Sequence, residues 1–315
     1  MLFRSSPVTW TASCRRVEGA QESTIAKELV TLRAALKLAV RAGLWLGNPA
    51  AVLPVGFSAE YRPRSRFLTR DELQRLLAVL DPNGAAMVAL DAATGAVAWK
   101  GGNDIAAYAA PMLATIDGTR QVVNFMADAV VGFDANTGTV LWRHPLKTAF
   151  ARHVMTPLVL GSRVIVGSHQ TGLIGLGISR TGNDWAVKEK WVSREAAPNF
   201  SCPVAVGGRV YGLGPQRDVV CLDAQSGAVR WTKPGLLTTP PDKAHAGFVV
   251  VGDRTILMLT DGGELVLFAA DGAGYRELGR AQICGSNWCN PALVDGRLYL
   301  RDGIRNAGSW WCVEL

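Results

Sequence analysis

The sequence predicts a mainly β protein: a partial β-propeller of about five four-stranded antiparallel blades, preceded by a short α-helical N-terminal segment. Three observations lead there. A strand-turn-strand motif recurs as VALDAATGAVAWK (Val88 to Lys100), GFDANTGTVLWR (Gly132 to Arg143) and CLDAQSGAVRWT (Cys221 to Thr232). A hairpin signal recurs as IDGTRQVV, VLGSRVIV, VGGRVYGL, VGDRTILM and VDGRLYLR, placing Arg at 120, 163, 209, 254 and 297, at intervals of 43, 46, 45 and 43 residues. Ahead of four of these hairpins a proline (Pro111, Pro157, Pro203, Pro291) opens the strand. A period of that length, holding about four short strands, is one propeller blade.

Within the motif each residue type has a physical use. Asp91, Asp134 and Asp223 can accept hydrogen bonds from the turn backbone, and Gly95, Gly138 and Gly227 can supply the positive φ of a tight turn. Trp99, Trp142 and Trp231 end the following strand, and KEKW places Trp191 at the same point of a degenerate copy. These residues read as blade packing, because repeat-consensus residues serve the interior of each unit. The fifth copy reads as decayed, to GYRELGRA.

Composition agrees with a globular chain: 49% of residues are hydrophobic and 19% charged. No run approaches a membrane span, and the start, MLFRSSPVTWTASCRRVEG, lacks the apolar core of a secretory signal, which as written implies the cytoplasm. The net charge of +7 is concentrated at the front, where residues 1 to 90 hold 12 Lys and Arg against 7 Asp and Glu, the remainder holding 21 against 19. Six scattered cysteines do not form a disulfide scaffold; Cys284 and Cys289 read as buried strand thiols that could pair if oxidised.

The first part divides into a lead-in without periodicity (1–21) and a helical fragment (22–87). Ile25, Leu29, Leu32, Leu36 and Val40 recur at helical spacing, Lys27, Arg33, Lys37 and Arg41 take other positions, and Gly43 suits a helix C-terminus. After an arginine loop (Arg62, Arg64, Arg66), Thr69 and Glu72 form a capping box for a second helix with Leu73, Leu76, Leu77 and Leu80. The stretch STIAKELVTLRAALKLAVRAGL, then NPA, then YRPRSRFLTRDELQRLLAVL resembles the tyrosine recombinase (phage-type integrase) family. That resemblance implies DNA contact through Lys27, Arg33, Lys37, Arg41, Arg62, Arg64 and Arg66. It does not imply recombination, because Val97 stands near where the family's Ala-Thr-Gly-x-Arg box needs its arginine, and its His-x-x-Arg box and tyrosine nucleophile are missing.

Residues 88–315 resemble the PQQ-like β-propeller repeat family, also called quinoprotein alcohol dehydrogenase-like, on the strength of the Leu-Asp-Ala-x-Thr/Ser-Gly-x-x-x-Trp copies. That family usually has seven or eight blades and is exported, to the periplasm in bacteria. Its enzymes carry a vicinal Cys-Cys pair and bind pyrroloquinoline quinone (PQQ) with calcium; no Cys-Cys pair occurs here. The two resemblances meet at VALDAATG, so the chain reads as a fusion or chimera.

Other chemistry is sparse. The four histidines, His144, His153, His169 and His245, are not at metal-ligand spacing and read as loop or surface residues, and Gly172 to Gly177 opens no helix and so cradles no phosphate. The sequence therefore predicts a non-catalytic propeller that binds protein or peptide on its strand-connecting loops, without cofactor. Two alternatives stand beside it: a PQQ-dependent dehydrogenase, and a DNA-binding recombinase remnant fused to a propeller.

Overall fold

The computed structural model describes residues 87–91, 94–240, 244–303 and 308–314, with positions 36, 37, 39–41, 43, 44, 46 and 48 ahead of them. The chain divides into two compact units, Met1–Leu73 and Gln74–Leu315. In the first, the described helical residues end at Gly43, whose φ is 68°. Gly43 N–H bonds the Val40 carbonyl (3.1 Å) and Leu44 N–H the Ala39 carbonyl (2.9 Å), the paired bonds by which a left-handed glycine closes a helix. Lys37 and Arg41 lie on this turn. The lead-in, the capping-box helix, Lys27, Arg33 and the loop arginines 62, 64 and 66 lie outside the described residues.

The second unit is a series of antiparallel sheets taken in chain order. A two-stranded sheet pairs β1 (Met87–Leu90) with β2 (Val97–Gly101). Four complete sheets follow, each with its strands in the order of the chain. They are β3 (Met112–Ile116) to β6 (Val140–Pro145), β7 (Leu158–Leu160) to β10 (Asp184–Ser193), β11 (Val204–Val206) to β14 (Val229–Lys233), and β15 (Ala246–Val251) to β18 (Glu277–Gln282). A three-stranded sheet, β19 (Ala292–Val294), β20 (Arg297–Arg301) and β21 (Trp310–Glu314), comes last. The Arg-marked hairpins join the first two strands of each blade, and the four prolines each precede such a first strand by one residue. Asp117 and Gly118 (φ 47° and 75°) and Asp295 and Gly296 (φ 48° and 72°) have the two left-handed residues that a tight antiparallel hairpin requires. The stretch GYRELGRA keeps its strand as β18, with Gly279 opposite Leu267 at the register where Trp231 faces Cys221.

Central strands bury both faces, which is why they read as unbroken apolar runs rather than alternating ones. In β8 (Arg163–Ser168), Val164 and Val166 pack against the sheet before, with Ile116, Val123 and Phe125, while Ile165 packs against the sheet after, with Val210, Val220 and Leu222. The same alternation repeats in β16 (Thr255–Thr260), where Ile256 and Met258 face Tyr211 and Cys221, and Leu257 and Leu259 face Leu298 and Leu300. Each seam is therefore a core shared by two neighbours.

Tryptophans of the outer strands close these seams. Each faces a small residue across its own hairpin: Trp99 opposite Ala89, Trp142 opposite Gly132, Trp191 opposite Gly175, Trp231 opposite Cys221. In each hairpin the register shifts by one beside the tryptophan, a bulge that leaves Ala98, Leu141, Lys190 or Arg230 unpaired and re-aims the ring. Trp99 then lies over Gly138 in the turn of the next blade, and Trp191 over Gly227. The indole N–H of Trp99 reaches the Ala135 carbonyl of that next turn at 2.9 Å, and that of Trp231 reaches Asp271 at 2.7 Å. The blade after Trp142 has no Asp-x-x-Thr-Gly turn, and the Trp142 indole bonds Gln121 Oε1 of its own sheet instead (2.7 Å).

The turns themselves are held by their aspartates. Asp134 Oδ1 accepts from the N–H groups of Asn136 and Thr137, both at 2.9 Å, and Asp223 Oδ1 from Gln225 and Ser226 at 3.1 and 2.9 Å. Asp91 Oδ1 accepts from Thr94 N–H at 2.7 Å. Hydrogen bonding from Arg230, then from the Ser226 amide, holds the Asp223 carboxyl down to about 2.

Two expectations need correction. His153 and His245 do lie in loops, the links between blades, but are buried, 0% and 2% exposed, and not on the surface. Cys284 and Cys289 belong to such a link, after β18, and not to a strand; Cys284 is buried and Cys289 half-buried.

Two predictions follow from this packing. Gly227→Ala forces a Cβ both into a left-handed conformation and onto Trp191, whereas Gly95 (φ 72°) has open space around it. Urea unfolding should show Gly227→Ala costing about 3 kcal/mol and Gly95→Ala about 1 kcal/mol; equal losses would show that the indole does not seat on the turn. Burial holds the His245 imidazole down to about 4, against the opposing pull of Asp261 and Asn290. The neutral form belongs to the fold, so its stabilisation is complete above the ordinary histidine value and is lost as pH falls from about 6.5 toward 4. Melting temperature should drop across that window, His245 contributing up to about 3 kcal/mol, and His245→Asn should lessen the drop, the rest coming from His153 and His169, whose pKa values burial also lowers; the Asp223 and Glu277 carboxyls, each held down to about 2, add their losses as pH falls below about 4.5.

Candidate functional loop face

Antiparallel meanders put two kinds of connection at each end of a blade. One end collects the short hairpins and the Asp-Gly turns. The other collects the turns between second and third strands (126–128, 169–171, 214–218 and 261–263) and the links from blade to blade (146–157, 194–203, 234–245 and 283–291). The first end spends its polar groups on its own turns, as the aspartate contacts above show. The second end carries the buried polar residues of the links, His153, Ser201, His245 and Asn287, with Asp218 and Asp261 of its turns, and is the candidate site.

His153 anchors the first of these links. Its ring stacks on Phe125 with centroids 3.9 Å apart, Nδ1 lies 2.6 Å from the Met126 carbonyl, and Nε2 lies 2.9 Å from Thr148 Oγ1. A carbonyl only accepts, so Nδ1 carries the proton and Nε2 takes the Thr148 hydroxyl. Burial lowers the pKa of this imidazole and keeps it neutral. Between Thr148 and His153 the chain makes one 3₁₀ turn, Ala149–Ala151, in which Phe150 and Ala151 are both left-handed (φ 66° and 45°). Gln170 Oε1 holds the Ala149 N–H at 2.8 Å.

Arg152 comes next and joins its own link to the following one, 194–203. Its Nη1 donates to Asn199 Oδ1 at 3.4 Å, and its guanidinium lies 5.4 Å from the centroid of the Phe200 ring. Phe200 in turn stacks on Trp288, centroids 5.4 Å apart and planes 19° from parallel. Trp288 is fixed by its neighbour Asn287, which is fully buried and donates Nδ2–H to the Thr260 carbonyl (2.9 Å). In the link that follows Lys233, Thr238 and Thr239 are pinned as firmly. Asp261 accepts from Thr238 and Thr239 N–H (3.3 and 3.2 Å) and from the Thr239 hydroxyl, and Arg217 donates to the Thr238 and Thr239 carbonyls (2.9 and 2.8 Å).

The structure thus brings together Arg152, Phe200 and Trp288, none of which the sequence motifs singled out. Trp99, Trp142, Trp191 and Trp231, with the turn residues Asp91, Asp134, Asp223, Gly95, Gly138 and Gly227, lie in the seams and at the opposite end. The signal for the cluster was weak: each member sits in a link, beside a buried polar residue whose partner comes from another blade.

The described residues of the loop face do not fit PQQ with calcium. Among the described residues no three His, Cys, Asp or Glu side chains converge to hold a metal ion, and both oxygens of the buried Asp261 carboxylate are already occupied by threonine donors. Cys284 is free, and burial pushes its thiol up to about 11, leaving it unreactive. Among the described residues no helix is long and apolar enough to cross a membrane.

A family model described as outer membrane protein assembly factor BamB matches residues 67–233, starting inside the segment read as recombinase-like. None of the curated proteins matches. Similar solved structures include BamB from Moraxella catarrhalis, 17% identical with a TM-score of 0.41, covering 68% of this chain and 75% of that one. They also include the quinohemoprotein alcohol dehydrogenase ADHIIG from Pseudomonas putida HK5, 16% identical with a TM-score of 0.44, covering 69% of this chain. A third is the N-terminal domain of Nup159, 10% identical with a TM-score of 0.42, covering 67% of this chain. The chain spans 42% of the dehydrogenase and 62% of the Nup159 domain. Nothing in these matches supports an integrase fragment, DNA binding or a chimeric origin. The family match takes in more than half of the 315 residues, and on that evidence the chain belongs to the family of the outer membrane protein assembly factor BamB.

Proposed function

We propose that the protein is a non-catalytic β-propeller scaffold that binds a protein partner on the end of the blades where the links gather. The observation that carries this reading is the Arg152–Phe200–Trp288 cluster, which three separate links hold together on a bed of buried, hydrogen-bonded polar groups. Aromatic and arginine side chains placed on a rigid base are the usual anchors of a protein interface, because little side-chain or loop freedom is lost on association. The family description, which concerns outer membrane protein assembly, supports action at the cell envelope in place of the cytoplasm read from the sequence start. A quinoprotein dehydrogenase gains no support from the donor set of this face.

A photo-reactive phenylalanine analogue tests the proposal when installed singly at positions 150 and 288 on the loop face, and at 137 and 225 on the turn face. Crosslinking in cells should yield the same protein adduct from both loop-face positions and none from the turn-face pair. Adducts from the turn face alone would reject the loop face as the docking surface.

A further inference from the structure

We infer that the segment docking on this loop face is an extended acidic peptide bearing aromatic side chains, with a carboxylate on Arg152 and rings against Phe150 and Trp288. The inference rests on the loop-face reading and names the chemistry of the partner.

Arg152 supplies the first argument. Among the described residues it makes no ion pair, although six other cation–carboxylate contacts are formed. Its partners are one amide oxygen at 3.4 Å and the face of a ring, which orient the guanidinium while leaving most of its five N–H donors unspent. A planar, pre-oriented guanidinium is suited to paired hydrogen bonds with a carboxylate. A second exposed arginine on the same face, Arg194, has its Nη1 3.5 Å from the carbonyl of the Gln170 that also clamps Ala149. The nearby carboxylates have other partners: Asp128 pairs with Lys147 at 3.4 Å, and Glu195 accepts from Ser193 at 3.1 Å.

Phe150 supplies the second argument, independently of charge. Its side chain is 85% exposed, yet the turn presenting it holds two consecutive non-glycine residues at positive φ. Each such residue costs about 1–2 kcal/mol in a left-handed conformation, a cost an unconstrained surface loop sheds by relaxing. The clamps at Ala149 and His153 keep it, so the fold maintains a strained backbone whose visible result is an aromatic side chain in solvent. Trp288, 45% exposed and stacked on Phe200, gives a second apolar surface beyond Arg152.

Together these features select a peptide. A nucleic acid needs a run of cations along its phosphates, whereas this face offers two arginines with Glu195 and Asp128 beside them. A membrane surface needs a continuous apolar face, whereas Phe150 and Trp288 stand on different links separated by a charged group. A carboxylate flanked by an aromatic ring satisfies both the arginine and the exposed rings.

Fluorescence polarisation on the full chain tests this with three labelled hexapeptides: Gly-Asp-Phe-Asp-Phe-Gly, the same peptide with Ala for Phe, and the same peptide with Lys for Asp. The acidic aromatic peptide should bind best, about tenfold over either variant, and should weaken several-fold between 50 and 300 mM salt (about a halving of the Debye length). Arg152→Glu should abolish that preference and favour the lysine peptide. Phe150→Ala, at an exposed position that leaves unfolding unchanged, should weaken the acidic peptide about fivefold. Equal binding of all three peptides, or an Arg152→Glu protein that binds as before, overturns the inference, as does capture by anionic phosphatidylglycerol vesicles or duplex DNA without capture of the peptide. If crosslinks at 150 and 288 appear while the acidic peptide fails, the docking face stands and only the partner's chemistry falls; if both fail, both proposals fall.

Discussion

A single contact organises the propeller: an indole from the outer strand of one blade, seated between a small residue of its own hairpin and the turn of the next blade. With it, Trp99 and Trp191 each lock over a left-handed glycine, Gly138 and Gly227, that no other residue could replace without strain or overlap. The bulge beside each tryptophan is the local device that makes this geometry available. The aspartate of each turn serves the same end, since it fixes the conformation of the glycine that receives the ring.

Much of this was legible in the sequence. Asp91, Asp134 and Asp223 with their paired Thr or Ser and Gly marked the turns, the Arg-bearing hairpins set the period, and Gly43 marked a helix end. The small residue two positions before each motif aspartate, Ala89, Gly132 or Cys221, was also on view, but its use becomes apparent only when the hairpin register sets it opposite the tryptophan. The bulges were not legible, because one extra residue between two strands leaves the apolar alternation almost unchanged. Nor were the buried histidines: His153 is defined by Met126 and Thr148, and His245 by Asp261 and Asn290, partners that the fold alone brings within reach. The loop-face cluster was hidden for the same reason, since Arg152, Phe200 and Trp288 belong to three links far apart in the chain.

Burying polar groups in the links carries a physical cost, and the structure shows how it is offset. Asp261 satisfies amides of a link that has no ladder of its own, while Asn287, Ser201 and His153, which belong to links, tie those links to backbone groups of the neighbouring strands and turns. An irregular segment held in this way gains the rigidity of the sheets beneath it, and its exposed side chains inherit fixed positions. Phe150 shows how far this goes, since the clamps on either side of it hold a backbone conformation that the residue itself disfavours.

The two ends of the blades therefore differ in what they leave over. At the Asp-Gly end, carboxylates, hydroxyls and amides are consumed within each turn, and an indole N–H from the previous blade takes a carbonyl where the turn allows it. That end is satisfied within the fold, and its Asp-Gly turns at 91–95, 134–138 and 223–227 are alike because each serves the same packing. At the link end the internal bonds stop short of the outermost side chains, and no seam dictates what those are. Residues there can diverge between blades without loss of packing, which is the condition under which a repeat architecture acquires a site that occurs once. Arg152, with a ring on one face and donors unspent on its edge, is the residue at which this end of the molecule departs furthest from what packing alone would require.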